Sequence, residues 1–163
     1  MVLTGNSIAL AARRSLLIEG SRHVVVGPHS LDHNLDYGGA TVDGITLVDC
    51  DGCSLTGVLL EGPAAGSEKE GGAIELYRCR ETTLSGCQVF EPTYRGVYVA
   101  DCRKTRVADC TVLDRTGAGT MRAAIEVTGQ SPGTVLRGNL VGKGSHGDLI
   151  APGAVVEGNR VGA

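Results

Sequence analysis

Glu75, Tyr98 and Glu126 have the types and spacing to do chemistry. They occupy equivalent places in a repeating pattern, Ile74-Glu75-Leu76-Tyr77, Val97-Tyr98-Val99 and Ile125-Glu126-Val127. With the aliphatic members pointing inwards, strand alternation turns Glu75, Tyr77, Tyr98 and Glu126 out on one face. On three successive coils the two glutamates then stand two spacings apart, roughly 9–10 Å at the backbone. Inverting glycoside hydrolysis needs such a carboxylate pair, one as acid and one as base, with room for a water between. Arg95 and Arg122 fall in segments bordering the strip. An arginine or tyrosine beside a carboxylated sugar supplies the base or the charge stabiliser of a β-elimination. Glu75, Glu126, Tyr98 and Arg95 are therefore the catalytic candidates, with Tyr77 and Arg122 as substrate contacts. A solvated sheet face that merely tolerates charge explains the same residues equally simply.

Other groups were weighed against blander roles. Pro28-His29-Ser30-Leu31-Asp32-His33-Asn34-Leu35-Asp36-Tyr37 places two histidines and two aspartates close together. His29 and His33 could contact substrate or chelate a metal with Asp32 or Asp36, or the stretch is an ordinary polar loop. Calcium stays open without a clear ligand motif; no metal site is assigned and no cofactor is called for. Of the six cysteines, Cys50, Cys79 and Cys102 share one phase of the repeat, and Cys87 and Cys110 share another. Stacked small polarizable residues suit a narrow core, so free, packing thiols are expected. Cys50-Asp51-Gly52-Cys53 has metal-ligand spacing but lacks a partner pair. Glu68-Lys69-Glu70 reads as a solvated loop tip.

The elements that position these residues form a ladder. Residues 73–89 and 96–112 superpose at an offset of 23 without a gap, each holding three short alternating segments. The pattern apolar-x-Gly-x-x-apolar recurs seven times, at Leu3, Val25 (weaker), Leu55, Leu84, Val107 with Asp109 replacing Gly, Leu136 and Val156. Gly and Asp both tolerate the left-handed backbone of a sharp corner. An Asn after the corner can hydrogen-bond along the stack. A second pattern precedes it at Ser15-Leu16-Leu17, Ile45-Thr46-Leu47, Ile74-Glu75-Leu76, Val97-Tyr98-Val99, Ile125-Glu126-Val127 and, degenerate, Leu149-Ile150-Ala151. The corner spacings are 22, 30, 29, 23, 29 and 20 residues. The excess always falls between the third strand of one coil and the first of the next, which gathers the insertions on one side of the rod.

Composition agrees with stacked layers. There are 25 Gly, no Trp, one Phe and four Tyr among 163 residues, so the core is aliphatic. The net charge of −3 gives no footprint for nucleic acid, and no apolar run approaches a membrane span. The opening residues carry no secretion-signal pattern, and nothing fixes a compartment.

Together these repeats resemble the right-handed parallel β-helix of the pectate-lyase-like superfamily, particularly the repeats of carbohydrate-binding proteins and sugar hydrolases. The resemblance implies an all-β solenoid of about six coils with three short strands each and no significant helix. It also implies an active groove on the first-strand face. The Asp-His-Asn stretch at 32–34 is similar to a segment of some pectate lyases, and His146-Gly147 to a dipeptide of polygalacturonases. The Asn-Thr-Asp, paired-Asp and Arg-Ile-Lys signatures of the latter are absent, as is the arginine signature of classical pectate lyases. Residues 150–159 alone look like a left-handed hexapeptide helix, without an upstream six-residue period. About six coils at roughly 4.8 Å each give a core on the order of 30 Å long.

Residues 1–163 are expected to form one domain, possibly cut from a longer β-helix. Its uncapped ends would invite oligomers or end-to-end association. Three functions stay open: a polysaccharide lyase, hydrolase or epimerase working in the groove, a non-catalytic polysaccharide-binding module, and a structural or assembly rod.

Overall fold

A computed structural model describes residues 1–9, 11–32 and 42–162. The chain winds as a right-handed parallel β-helix built from three all-parallel sheets. Sheet 1 stacks six strands, Leu16–Glu19, Ile45–Val48, Ile74–Tyr77, Arg95–Ala100, Ala123–Thr128 and Leu149–Ile150. Sheet 2 stacks seven, Val2–Leu3, Val25–Val26, Ser54–Thr56, Thr83–Ser85, Arg106–Ala108, Val135–Arg137 and Val155–Glu157. Sheet 3 stacks seven more, Ser7–Ala9, Ser30–Asp32, Leu59–Glu61, Gln88–Phe90, Thr111–Leu113, Leu140–Val141 and Arg160–Val161. No helix occurs among the described residues, so none there is long and apolar enough to cross a membrane.

Each inward row stacks like on like. Ile45, Ile74, Val97 and Ile125 lie in register on successive strands of sheet 1, and Leu55, Leu84, Val107 and Leu136 do so in sheet 2. These side chains are fully buried. Short β-branched and leucine side chains fill a slot this narrow without aromatic rings, and burial of such rows supplies the main driving force.

Polar ladders run beside the aliphatic ones. At the corner between sheets 2 and 3 the stack is Asn6, His29, Val58, Cys87, Cys110, Asn139 and Asn159. The Cys110 N–H donates to Asn139 Oδ1 at 2.9 Å, and the Asn139 N–H donates to Asn159 Oδ1 at 2.9 Å. Asn139 Nδ2 donates to the Val107 carbonyl at 3.0 Å, and Asn159 Nδ2 to the Leu136 carbonyl at 2.9 Å. All six cysteines are buried free thiols. Cys50, Cys79 and Cys102 stack at the corner between sheets 1 and 2, where the Cys79 N–H meets Cys102 Sγ at 3.3 Å.

Three expectations need correction. The weak corner pattern at Val25 is one residue out: Leu3 pairs with Val26, and Val25 faces solvent, so the first spacing is 23 and Pro28 occupies the corner. The first-strand pattern at Ser15-Leu16-Leu17 is also one residue out. Leu16 pairs with Ile45 and Ile18 with Leu47, leaving Leu17 half exposed. In both places adjacent apolar residues make the alternation ambiguous, and only pairing with the next coil decides which one faces inwards. Finally, Arg95 is the first residue of a sheet 1 strand rather than part of a bordering loop.

Among the described residues the large exposed apolar side chains, Met1, Val2, Leu17, Val25, Val155, Val156 and Val161, lie on or beside the first two strands or the last strand of their sheets. His33 and Asp36 lie outside the described residues.

Candidate functional site

Sheet 1 carries the outward strip as expected. Thr46, Glu75, Tyr98 and Glu126 are direct neighbours on successive strands, and Val48, Tyr77 and Ala100 form the adjacent row. The segment after Glu61 folds back over this face and divides the strip into two unlike halves.

In the Glu75 half, the glutamate is only 4% exposed. Its Oε1 accepts the Gly72 N–H at 3.0 Å. Its Oε2 accepts the Thr46 hydroxyl at 2.8 Å and an Arg14 N–H at 3.4 Å. Arg14 Nε also donates to Thr46 Oγ1 at 2.6 Å, while 43% of the Arg14 side chain remains in solvent. At Gly71, with φ 80°, any side chain would run into the Glu75 carboxylate, so the wall must pass this point as glycine. Beside them opens a cleft of about 320 Å³ lined by Arg13, Arg14, Glu70, Glu75 and Tyr77 with residues 65–67. A second hollow of about 320 Å³ shares Arg14, Glu70 and Tyr77 and runs on over Thr46 and Val48 to Arg78.

Tyr77 closes one side of the cleft. Its ring meets Tyr98 edge-on at 5.7 Å between centroids. Burial and then the Glu75 charge push its phenol far above the usual range. The hydroxyl therefore stays protonated and can donate to a ligand throughout the physiological range.

The Glu126 half centres on a buried arginine, while Glu126 keeps 15% and Arg122 26% of its side chain exposed. The Arg95 side chain has no exposed surface. Its Nε donates to Glu126 Oε2. Its Nη1 donates to the carbonyls of Ser67 at 2.8 Å and Gly71 at 3.3 Å, and its Nη2 to the Glu68 carbonyl at 3.2 Å. The guanidinium lies 5.3 Å from the Tyr98 ring centroid. Burial raises the Tyr98 phenol, against the lowering effect of the Arg95 charge. Arg122 adds looser ion pairs at 3.9 Å to Glu126 and to Glu68.

The arrangement thus brings Glu75 and Tyr77 to one cleft and places Arg95 beneath its wall, paired with Glu126 and flanked by Arg122. Tyr98, 6% exposed, stands between the two glutamates on the middle strand. Each carboxylate is engaged by its own arginine, and the cleft lining includes Glu75 without Glu126. His29 lies elsewhere, buried at the corner between sheets 2 and 3. Its Nδ1 faces the Pro28 carbonyl at 2.9 Å and its Nε2 faces Asn6 Nδ2 at 3.1 Å. His146 is exposed on the 142–148 segment, against the Ser145 hydroxyl at 3.1 Å. Among the described residues no group of three or more His, Cys, Asp or Glu is placed to hold a metal.

Sequence reasoning missed Arg13, Arg14, Thr46 and Glu70. Thr46 was within reach, since it occupies the Glu75 phase one coil earlier. Arg14 carried no such signal, because it precedes the first strand and reaches Glu75 only through the packing of two coils. A larger hollow of about 530 Å³ lies at the corner between sheets 1 and 2, lined by Arg80, Glu81, Arg103, Lys104, Pro132 and Gly133. Arg80 and Lys104 there pair with Asp51 and Glu81, and neither a buried polar group nor an aromatic ring lines it. Its chemistry is that of a charged surface ladder.

No family model matches the chain, and no curated protein matches it in sequence. Among solved structures it is similar to a candidate glycosyl hydrolase from Parabacteroides merdae. The TM-score is 0.62 at 12% identity, over 84% of this chain and 68% of that one. The tailspike protein gp49 of Pseudomonas phage LKA1 aligns at 11% identity over 89% of this chain and 31% of that chain, with a TM-score of 0.38. At such identities the likeness to the first shows the fold alone, and that to the second carries no argument. The class defined is the right-handed parallel β-helix.

Proposed function

We propose that this β-helix domain binds an oligosaccharide or polysaccharide in the cleft of Arg13, Arg14, Glu70, Glu75 and Tyr77, without itself cleaving it. The observation that carries this reading is the contrast in what the cleft groups have left to offer. Both Glu75 oxygens are occupied by protein donors, so the carboxylate is spent on holding Arg14, Thr46 and Gly72 in place. Arg14, Glu70 and the Tyr77 hydroxyl still face solvent chemistry. An aromatic edge beside guanidinium and carboxylate groups suits a sugar, whose faces are apolar and whose rim is hydroxyls. The fold likeness to a candidate glycosyl hydrolase agrees with a saccharide ligand. Hydrolysis through Glu75 and Glu126 would need a water between two available carboxylates, and here Tyr98 stands between them and each is engaged by an arginine.

Affinity electrophoresis through gels containing acidic or neutral polysaccharides tests this, with reducing and unsaturated ends measured in parallel. The wild-type protein should be retarded saturably by at least one polymer and release neither product. Arg13→Ala and Tyr77→Phe should each weaken retardation about tenfold, the value of one good hydrogen bond. Product formation that Glu75→Gln abolishes at unchanged Tm would overturn the non-catalytic reading. A second reading, a structural or assembly module, draws on the exposed apolar side chains on or beside the first two strands or the last strand of their sheets. It requires concentration-dependent mass in light scattering, and a monomer throughout would end it.

A further inference from the structure

Arg95 is the largest fully buried side chain among the described residues, and it is charged. A guanidinium taken wholly out of water is costly unless every donor is met. Here Glu126 neutralises it, and three of the four remaining N–H groups are met by carbonyls of one short segment, Ser67, Glu68 and Gly71. That segment, residues 66–71, forms the cleft wall that carries Glu70. Among the described residues its other side-chain tie to the rest of the protein is the loose 3.9 Å ion pair of Glu68 with Arg122. Its internal bonds close only a small turn, with the Ser67 N–H donating to the Glu70 carbonyl at 2.8 Å and the Lys69 and Glu70 N–H groups donating to Ser67 Oγ. Its neck is pinched where Gly66 and Gly71 meet: a side chain on Gly66 would stand 2.7 Å from the Gly71 carbonyl carbon. Glu75 supports this neck from one side through Gly72, and Arg95 supports it from the other.

From this geometry we infer that Arg95 is a positioning residue for the cleft: it latches residues 66–71 onto the face of sheet 1, with Glu126 as its counterweight, and so sets the shape and affinity of a site it never touches. The inference rests on the cleft being the binding site only for its statement about affinity. The statement about the wall stands on the contacts alone.

Two conservative variants, Arg95→Lys and Arg95→Gln, test it in the full chain. Hydrogen exchange is followed at the amides of residues 67–72 without ligand, and retardation is measured on the polysaccharide that the wild type binds. A lysine keeps a charge for Glu126 but cannot fork to three carbonyls. If the fork holds the wall, both variants should exchange about tenfold faster at 67–72 while sheet 2 amides stay protected, and both should lose affinity by a similar factor. Exchange at 67–72 unchanged in both variants would overturn the inference, as would wild-type exchange in Arg95→Lys, which would leave only the charge pair at work. Should a variant fail to fold, Glu126→Gln removes the counterweight with almost no change of shape and must show the same local acceleration. Faster wall exchange with unaltered retardation would overturn the claim on affinity, and would do so while wild-type binding still upheld the proposed ligand class.

Discussion

Arg95 and Arg115 share two kinds of contact at very different burial. Each bridges coils to reach a glutamate, and each lies near an aromatic ring, Tyr98 for Arg95 and Phe90 at 3.9 Å for Arg115. Arg115 donates to Glu91 through Nε and Nη2 at 2.7 Å and to Glu61 at 2.7 Å. Its geometry is at least as good as that of Arg95. Yet Arg115 is 47% exposed and Arg95 not at all. Water can replace what Arg115 loses, whereas nothing can replace what Arg95 loses. Similar contacts therefore amount to an outer fastening in one place and to the foundation of the cleft wall in the other.

The strongest way to break the comparison is to truncate both. Arg95→Ala leaves Glu126 charged with only the looser Arg122 pair, and strands the carbonyls of Ser67, Glu68 and Gly71. The expected cost is about 3–5 kcal/mol in chemical denaturation, the range for half of a buried pair. Arg115→Ala should shift the denaturation midpoint far less. Equal losses would mean that burial does not separate the two sites.

A buried group without charge places the scale between these extremes. Asn139 is buried at the corner of sheets 2 and 3, where its amide serves Cys110, Val107 and Asn159 in adjacent coils. Asn139→Ala would orphan the Cys110 N–H and take one of two donors from the Val107 carbonyl. A loss of about 2–3 kcal/mol is expected, less than at Arg95 because no charge is stranded. A loss as large as that of Arg95→Ala would show that the ladder, rather than the ion pair, dominates.

Asn139 and Arg95 also mark what could be read in the sequence. The partners of Asn139 lie one coil away at the repeat spacing, so the string Gly138-Asn139, repeated at Gly158-Asn159, announced the stacking. The aliphatic rows and the strip of Glu75, Tyr98 and Glu126 were legible for the same reason: period two within a strand and a constant phase between coils. Leu17 and Val25 slipped because two adjacent apolar residues satisfy the alternation equally well. The covering of the strip was not legible at all. Whether Glu75 and Glu126 face water depends on where residues 66–71 turn back, and that is decided by three carbonyls, which leave no mark in side-chain identity. An outward Glu on a strand gives the same pattern beneath a loop or beneath solvent.

Acidification sharpens the comparison with the smallest effect. Hydrogen bonding from Arg115 holds the Glu91 carboxyl below its ordinary value of 4.5, and partial burial opposes this only in part. A carboxyl depressed in the folded state stabilises the fold above its unfolded pKa, and the contribution is lost as pH falls through the folded value. Glu91→Gln should therefore be less stable than wild type at pH 7, and the two should converge as the pH drops below about 4.5. Thermal melts across pH 7 to 3 would show the gap closing. A gap that stays constant would mean that Glu91 acts through shape rather than charge, and that the exposed cluster works more like the buried one than its 47% exposed arginine implies.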